Sequence, residues 1–223
     1  MSVPSDATLS NHSLFIAFEG VDGSGKTTQA QLLADWYQKH GVAVTLTREP
    51  GGTELGERLR AIVLDPTIAC TPRAELLTLL AARAQHVAEV IAPALAAGQV
   101  VIVARFTLST LVYQGYVRGL PVDEIQAANA VAVEGMHPDL TILVDVPFET
   151  IHTRISERNA RIGERQDRFE GEGASLLRRV IDGYRYFAAA DPTVRIIDGT
   201  GTIEQVQDTI RREVLSVQAS RIK

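Results

Sequence analysis

The chain has 223 residues, of which 45% are hydrophobic, a formal net charge of −5 and one cysteine. This composition predicts one globular domain, excludes an internal disulfide and disfavours a broad nucleic-acid-binding face. No stretch reaches the roughly 20 apolar residues that span a membrane, and the first 12 residues lack the basic and then apolar order of a signal peptide. We therefore predict an unstructured leader over 1–12, a single domain over 13–223 and a cytoplasmic location.

Apolar runs rich in β-branched residues alternate with helix-like segments along the chain. Such runs are typical of strands that are buried on both faces of a parallel sheet. The predicted strands are 14–19, 42–47, 100–104, 140–146 and 194–198. The predicted helices are 27–40, which stops before Gly41, 53–64, where Thr53 is an N-cap candidate, and 72–98, with Pro72 near its start and Gly98 at its end. This alternation predicts an α/β sandwich with right-handed crossovers.

The segment GVDGSGKT at 20–27 matches the pattern G-x-x-x-x-G-K-[ST] between the first strand and the first helix. Glycine permits backbone angles that let successive N–H groups curl around phosphate oxygens, and the helix N-terminus adds partial positive charge. In this pattern the lysine reaches the β- and γ-phosphates and the hydroxyl that follows it binds Mg²⁺. A glycine-rich turn without a ligand is the alternative. The predicted ATP-binding residues are Gly20, Asp22, Gly23, Ser24, Gly25, Lys26, Thr27 and Thr28, with Thr27 as the metal ligand.

Further segments narrow the class of phosphate-binding protein. They are TREPGG at 47–52, LLAARAQHV at 79–87, RFTLSTLVYQG at 105–115, PDLTILVDV at 138–146 and RNARIGERQDRFE at 158–170. Together they resemble the thymidylate kinase family, over nearly the whole chain from about Leu14 to Ile210. The resemblance implies a three-layer α/β/α P-loop nucleoside monophosphate kinase fold with a five-stranded parallel sheet and a helical lid. It also implies transfer of a phosphoryl group from ATP to dTMP with Mg²⁺ as cofactor.

The resemblance also assigns roles to residues of the acceptor site. Asp22 would accept a hydrogen bond from the 3′-hydroxyl of dTMP, and Arg105 would grip its phosphate, which suits a planar bidentate donor. Arg83 would read the thymine edge, and Phe169 would lie against the sugar 2′ position and exclude ribonucleotides. The remaining predicted dTMP-binding residues are Arg48, Pro50, Ser109, Tyr113 and Gln114.

An arginine-rich run is predicted to form a lid over about 158–171. Arg154, Arg158, Arg161, Arg165 and Arg168 are spaced four and three residues apart, so that a continuous helix would place them on one face. A solvated charged helix is the alternative, since acidic residues are interspersed. Gly23 occupies the loop position where some family members carry a catalytic arginine, so the resemblance implies the type that supplies this arginine from the lid. The predicted catalytic residues are Lys26, Arg105, Arg161 and Arg165.

Two positions depart from the family pattern. The third strand ends in Ala104, where the family usually has an aspartate that supports Mg²⁺, and the metal would then depend on Thr27 and the ATP phosphates, with Glu49 as a further candidate. This substitution predicts a weakened Mg²⁺ site and reduced turnover. Leu79 replaces a phenylalanine that many members stack on thymine, and leucine predicts looser base selectivity.

Other functions stay open at this level. The acceptor could be another nucleoside monophosphate, or the chain could be a nucleotide-binding module with little catalysis, which only Ala104 favours. A nucleic-acid-associated ATPase would need a basic face that the net charge does not provide. The predicted partners are ATP, dTMP and a second copy of the chain in a homodimer, with no nucleic acid and no membrane.

Overall fold

A computed structural model describes residues 13–162 and 173–221, without the side chains of residues 158–162. The predicted leader and residues 163–171 of the predicted lid lie outside these residues, so both stay predictions. No helix in the described ranges is long and apolar enough to cross a lipid bilayer.

Five strands form one parallel sheet, as the apolar runs predict. The strands are β1 (Leu14–Glu19), β2 (Val44–Arg48), β3 (Val100–Ala104), β4 (Leu140–Asp145) and β5 (Val194–Asp198). Their order across the sheet is β2-β3-β1-β4-β5. The predicted bounds are confirmed for β1, β3 and β5, whereas β2 begins two residues later than predicted and β4 ends one residue earlier.

Helices connect the strands. The described helices are α1 (Lys26–Lys39), α2 (Glu54–Leu64), α3 (Pro72–His86), α4 (Ala92–Ala96), α5 (Thr107–Thr110), α6 (Val122–Val133), α7 (Phe148–Ile162), α8 (Gly173–Ala190) and α9 (Ile203–Arg221). Two π-helical segments, Val87–Ile91 and Leu111–Val117, follow α3 and α5.

Local signals fix several helix ends. The Thr53 hydroxyl accepts a hydrogen bond from the Gly56 N–H at 2.9 Å, which confirms the predicted N-cap of α2. The helix predicted over 72–98 is right in extent, but a π-helical turn divides it into α3 and α4. Pro93 follows that turn and has no N–H to donate, so the wider turn accommodates a break in the α-helical hydrogen-bond ladder.

Both faces of the sheet are buried. Leu14, Ile16 and Phe18 of β1 belong to a core cluster that includes apolar residues of α1, α8 and α9. Phe15 and Ala17 point to the other face and pack with the π-helical segment that follows α3. The alternation along one strand therefore produces the three-layer arrangement, and the predicted fold class is confirmed in its sheet and layers.

The strand order determines which loops meet. β3 lies between β1 and β2, and Ala104 is paired with Phe18 of β1 and with Arg48 of β2. Since the carboxyl ends of parallel strands share one edge, the loops after β1, β2 and β3 converge there. The candidate site is built at this edge.

Candidate active site

The glycine loop joins β1 to α1 and is shaped by its backbone. Gly25 precedes α1 with φ 94°, in the left-handed region. Gly20 has φ 136°, and a Cβ built on it would come within 2.8 Å of the Val144 carbonyl oxygen. Glycine is therefore required at both positions, for conformation at one and also for space at the other.

Lys26 begins α1 and points back into the loop. Its Nζ donates to Asp22 Oδ1 at 2.8 Å and to the Val21 carbonyl at 3.3 Å, and the residue is buried. Burial and the repulsion of Arg105 lower the pKa of Lys26 to about 8, although Asp22 partly opposes this shift. Thr27 and Thr28 follow with exposed side chains at the start of the same helix.

Arg105 lies beside this lysine, as the strand order requires. The residue has φ 69°, a left-handed conformation that costs energy for a non-glycine residue. Its Nη2 donates to Asp22 Oδ1 at 2.8 Å, and its Nη1 donates to the Tyr184 hydroxyl at 2.9 Å. Burial would raise the pKa of Asp22, but the charges of Arg105 and Lys26 outweigh burial and hold it well below its usual range. One carboxylate thus joins the lysine of the glycine loop to the predicted phosphate-gripping arginine.

Glu19 supports this group from behind the sheet edge. It is fully buried, and its carboxylate accepts from the Phe106 N–H at 2.7 Å, the Ser109 hydroxyl at 2.6 Å and the Tyr184 hydroxyl at 3.1 Å. Burial raises the pKa of Glu19, while the hydrogen bonds from Ser109 and Phe106 act in the opposite direction. Tyr184 therefore contacts both Glu19 and Arg105, and it ties α8 to the loop after β3.

A pocket opens on the Arg105 side of Asp22. Seven of the predicted dTMP-binding residues line it, together with the variant position Leu79. The seven are Asp22, Pro50, Arg83, Arg105, Ser109, Tyr113 and Gln114. We call this the acceptor pocket. Burial raises the pKa of Tyr113 to about 12, so its hydroxyl stays protonated at neutral pH.

Arg48 is a predicted acceptor residue whose side chain does not line this pocket. The side chain of Arg48 turns to Glu57, with Nη2 at 3.0 Å from Oε2, and it is half exposed. The carboxylate of Glu57 draws it away, and Arg48 is not among the lining residues. Phe169 lies outside the described residues.

Arg83 belongs to a buried network behind the acceptor pocket. Its Nε donates to Glu49 Oε2 at 2.7 Å, Nη1 donates to Thr110 and Asn129, and Nη2 donates to the Phe106 carbonyl. Four of the five guanidinium N–H groups are thus engaged within the protein, which leaves one on Nη2. The other carboxylate oxygen of Glu49 lies 3.0 Å from His86 Nδ1. Each oxygen of Glu49 thus has one partner within the protein, and the suggestion that Glu49 helps to bind Mg²⁺ stays a prediction.

A second pocket opens on the other side of the glycine loop, and we call it the donor pocket. Its lining includes Gly23, Gly25, Thr28, Gly201 and Ile203. Arg154 also lines it; this arginine begins the spaced arginine run and precedes the predicted lid at 158–171. Its Nη1 contacts the carbonyls of Gly23 at 3.3 Å and Ser24 at 3.4 Å, and its Nη2 contacts the Gly199 carbonyl at 3.2 Å. Arg154 therefore holds the glycine loop against the loop after β5. The side chains of Arg161 and Arg165 lie outside the described part of the chain.

The family model described as thymidylate kinase matches residues 18–210. The chain belongs to the thymidylate kinase family. The thymidylate kinase of Desulfovibrio desulfuricans is 47% identical over 197 residues, which cover 86% of this chain and 91% of the relative. That of Solidesulfovibrio magneticus is 48% identical over 201 residues, which cover 88% of this chain and 96% of the relative. A crystal structure of thymidylate kinase from Ehrlichia chaffeensis superposes with a TM-score of 0.70 at 32% identity and covers 91% of this chain and 99% of that one.

These findings confirm the resemblance, the fold class and the enzyme class that the sequence predicts for this thymidylate kinase family member. The roles of individual residues stay proposals, because similarity over a whole chain does not test a side chain. The placement of the predicted residues around two adjoining pockets is a finding of the structure alone.

The described residues fit a Mg²⁺ ion that is held mainly by substrate. No cluster of three or more histidine, cysteine, aspartate or glutamate side chains lies within them, and Thr27 presents an exposed hydroxyl beside Lys26. Mg²⁺ in phosphoryl-transfer sites commonly takes one or two protein ligands and completes its shell with phosphates and water. Thr27 is consistent with that arrangement.

Sequence reasoning missed several residues of the site. Arg60, Val63 and Leu64 of α2 line the acceptor pocket, and Arg60 Nη1 donates to the Pro50 carbonyl at 3.0 Å. Their spacing from the Thr53 cap places them on one helical face, which could have revealed them. Glu19 and Tyr184 carried no comparable signal, because they are 165 residues apart and meet only in the fold.

Proposed function

We propose that this protein transfers the γ-phosphoryl group of ATP to dTMP and produces dTDP and ADP. The observation that carries the proposal is the contact of Asp22 with both Lys26 and Arg105. Asp22 lines the acceptor pocket and directly precedes Gly23, which lines the donor pocket. Two cations that converge on one point between two pockets suit the transfer of an anionic group from one pocket to the other.

The residues of the site support a mechanism of positioning and charge neutralisation. Lys26 would hold the β- and γ-phosphates of ATP, and Arg105 would hold the phosphate of dTMP in line with them. The attacking phosphate oxygen is already anionic at neutral pH, so no general base is needed. Mg²⁺, bound through Thr27, would neutralise charge on the ATP phosphates. Arg161 and Arg165 are proposed to add positive charge from the lid, which would also exclude water.

The acceptor pocket supports a thymine base in particular. Arg83 keeps one N–H group, and Gln114 Oε1 has no partner among the described residues. A donor and an acceptor of this kind match O4 and N3–H of thymine, while Leu79 offers an apolar surface. Phe169 is proposed to contact the sugar and to disfavour a 2′-hydroxyl.

The test is ATP-dependent formation of ADP with a panel of nucleoside monophosphates. We expect turnover with dTMP to exceed turnover with dCMP, dGMP, dAMP and UMP, and to vanish without an acceptor. Preference for another monophosphate would replace the proposed acceptor. Nucleotide binding without turnover on any acceptor would favour the binding-module alternative.

The replacement of the usual aspartate by Ala104 is tested in the same assay. Ala104 ends β3 and its carbonyl accepts from the Glu49 N–H at 2.9 Å, so the position lies at the sheet edge beside the site. We expect Ala104→Asp to raise turnover most at low Mg²⁺ concentration. Equal rates for the variant and the parent at every Mg²⁺ concentration would overturn the proposed weakening.

We further propose that the protein is a homodimer formed through α2, α3 and α6. Helix α3 packs against both α2 and α6, and each of the three carries a large exposed apolar side chain: Ile62 at 47%, Leu77 at 63% and Val131 at 79%. Apolar area of this kind is typical of homodimer interfaces. Light scattering should give twice the monomer mass, and Leu77→Glu should shift the mass toward that of the monomer.

The cytoplasmic location is a proposal that rests on the nucleotide substrates.

A further inference from the structure

The side-chain amide of Gln114 has one orientation, which its neighbours determine. It lies in the π-helical segment Leu111–Val117, is 1% exposed and lines the acceptor pocket. Its Nε2 donates to Glu75 Oε1 at 2.6 Å. Its Oε1 has no hydrogen-bond partner among the described residues.

Glu75 determines this orientation because its carboxylate is a hydrogen-bond acceptor. It is 1% exposed in α3, and Arg118 Nε lies 3.6 Å from the same oxygen, so that a cation accompanies the buried carboxylate. An ionised carboxylate can accept hydrogen bonds but cannot donate them. The amide of Gln114 must therefore turn its nitrogen toward Glu75, which leaves its oxygen for the pocket.

We propose that Glu75 is a specificity-determining residue that fixes Gln114 as a hydrogen-bond acceptor toward the base. The site then selects pyrimidines that carry a hydrogen on N3, which are thymine and uracil, and rejects cytosine, whose N3 is itself an acceptor. Glu75 acts through Gln114 and is a positioning residue, not a catalytic one. This inference rests on the proposed function, since it concerns the same pocket.

The rest of α3 reinforces this selection. Glu75, Leu79 and Arg83 follow one another at four-residue spacing and lie on one face of the helix. Arg83 keeps an N–H group, which matches the O4 acceptor of thymine and opposes the amino group of cytosine. One helical face thus sets both a donor and, through Gln114, an acceptor. Cytosine would match neither the Arg83 donor nor the Gln114 acceptor. Its binding would leave these buried polar groups without hydrogen bonds, which costs binding free energy.

The decisive variant is Glu75→Gln. A glutamine at position 75 can donate or accept, so both orientations of the Gln114 amide become possible. We expect dTMP turnover to persist and the ratio of kcat/KM for dCMP to that for dTMP to rise about tenfold or more. The ratio for dUMP to dTMP should not change, because the two bases share the same edge and differ only in a methyl group. The matched control is Glu54→Gln, where the carboxylate is 83% exposed.

Two outcomes would overturn the inference. An unchanged dCMP ratio in a folded Glu75→Gln variant would do so, as would an equal loss with all three substrates, which is the signature of a structural role. If that variant does not fold, Gln114→Leu carries the test: loss of the amide should raise the dCMP ratio in the same direction, with Arg83 still opposing cytosine, and an unchanged ratio would overturn the inference. If Glu75→Gln does fold, adding it to Gln114→Leu should not change the dCMP ratio further. Failure of the wild type to use dTMP would instead refute the proposed function.

Discussion

The acceptor and donor pockets are built from different materials. The acceptor pocket is backed by buried charged and polar side chains that engage one another, such as Arg83, Glu49 and Glu19. The donor pocket is lined by four glycines and by Arg154, whose charge is directed at main-chain carbonyls. The acceptor pocket must discriminate one base from the others, and this requires side chains in fixed positions. Phosphates can be recognised by backbone N–H groups, which every residue except proline carries, so the donor side depends on the shape of the main chain more than on side chains.

The largest expected effect is at Lys26, which contacts Asp22 of the acceptor pocket and directly follows Gly25 of the donor pocket. Lys26→Met should lower kcat by about 10³-fold, because transition-state charge loses a preorganised cation in a buried site. Lys39→Met, at the exposed end of the same helix, is the matched control and should leave kcat unchanged. Both are checked by steady-state kinetics with ATP and dTMP. A comparable loss in the two variants would mean that Lys26 has no special role.

The acceptor side should be sensitive to a single hydroxyl group. Tyr184→Phe removes the 2.9 Å hydrogen bond to Arg105 and should raise KM for dTMP by about tenfold, with KM for ATP unchanged. Tyr37→Phe is the matched control, since the buried Tyr37 hydroxyl has no partner among the described residues. That variant should keep both KM values, and its Tm should be equal or higher. Equal changes in both KM values of Tyr184→Phe would contradict a specific link to Arg105.

A change on the donor side should affect the KM for ATP instead of the KM for dTMP. Arg154→Met loosens the glycine loop from the loop after β5 and should raise KM for ATP about fivefold, with KM for dTMP unchanged. Arg212→Met is the control, because Arg212 is exposed on α9 and its described contacts stay within that helix. If KM for dTMP rose as much as KM for ATP, the two pockets would not be separable in this way.

The smallest expected effect is an uptake of protons by Lys26 when ATP binds. Its pKa of about 8 means that much of the free protein has a neutral lysine at pH 8.5, whereas bound triphosphate favours the charged form. ATP binding should therefore take up roughly 0.7 of a proton at pH 8.5 and much less at pH 6.5. Calorimetry in buffers of different ionisation enthalpy measures this uptake. Lys26→Arg should abolish it, since a guanidinium stays charged throughout; uptake that persists there would assign the proton to another group.

Much of the fold follows from local patterns. The bounds of β1, β3 and β5, the Thr53 cap and the glycine loop were all predicted, because apolar runs, capping residues and glycines act over a few residues. Helices α5, α6, α8 and α9 were not predicted; α5 has only four residues, whereas α8 and α9 are long and were overlooked. The two π-helical turns were also missed, and they arise where packing and Pro93 override the regular ladder.

The residues of the candidate site likewise divide into those that local motifs predict and those that depend on tertiary contacts. The motifs and the family resemblance supplied seven of the residues that line the acceptor pocket, whereas the contact of Arg154 with the glycine loop was not predicted. Arg48 was expected at the acceptor, but its charge is engaged by Glu57, a partner nine residues away that the pattern did not reveal. Side-chain direction depends on neighbours, and a motif does not specify them.

By itself, the sequence determined that this protein has a phosphate-binding glycine loop on a parallel α/β sheet and that it resembles thymidylate kinases. Only the tertiary structure decided that β3 lies between β1 and β2, which brings Arg105 to Asp22 and Lys26. It also decided that Tyr184 meets Glu19 and that Glu75 orients Gln114. The physical reason is that local patterns specify backbone conformation, whereas hydrogen bonds between buried side chains depend on elements that are distant in the chain.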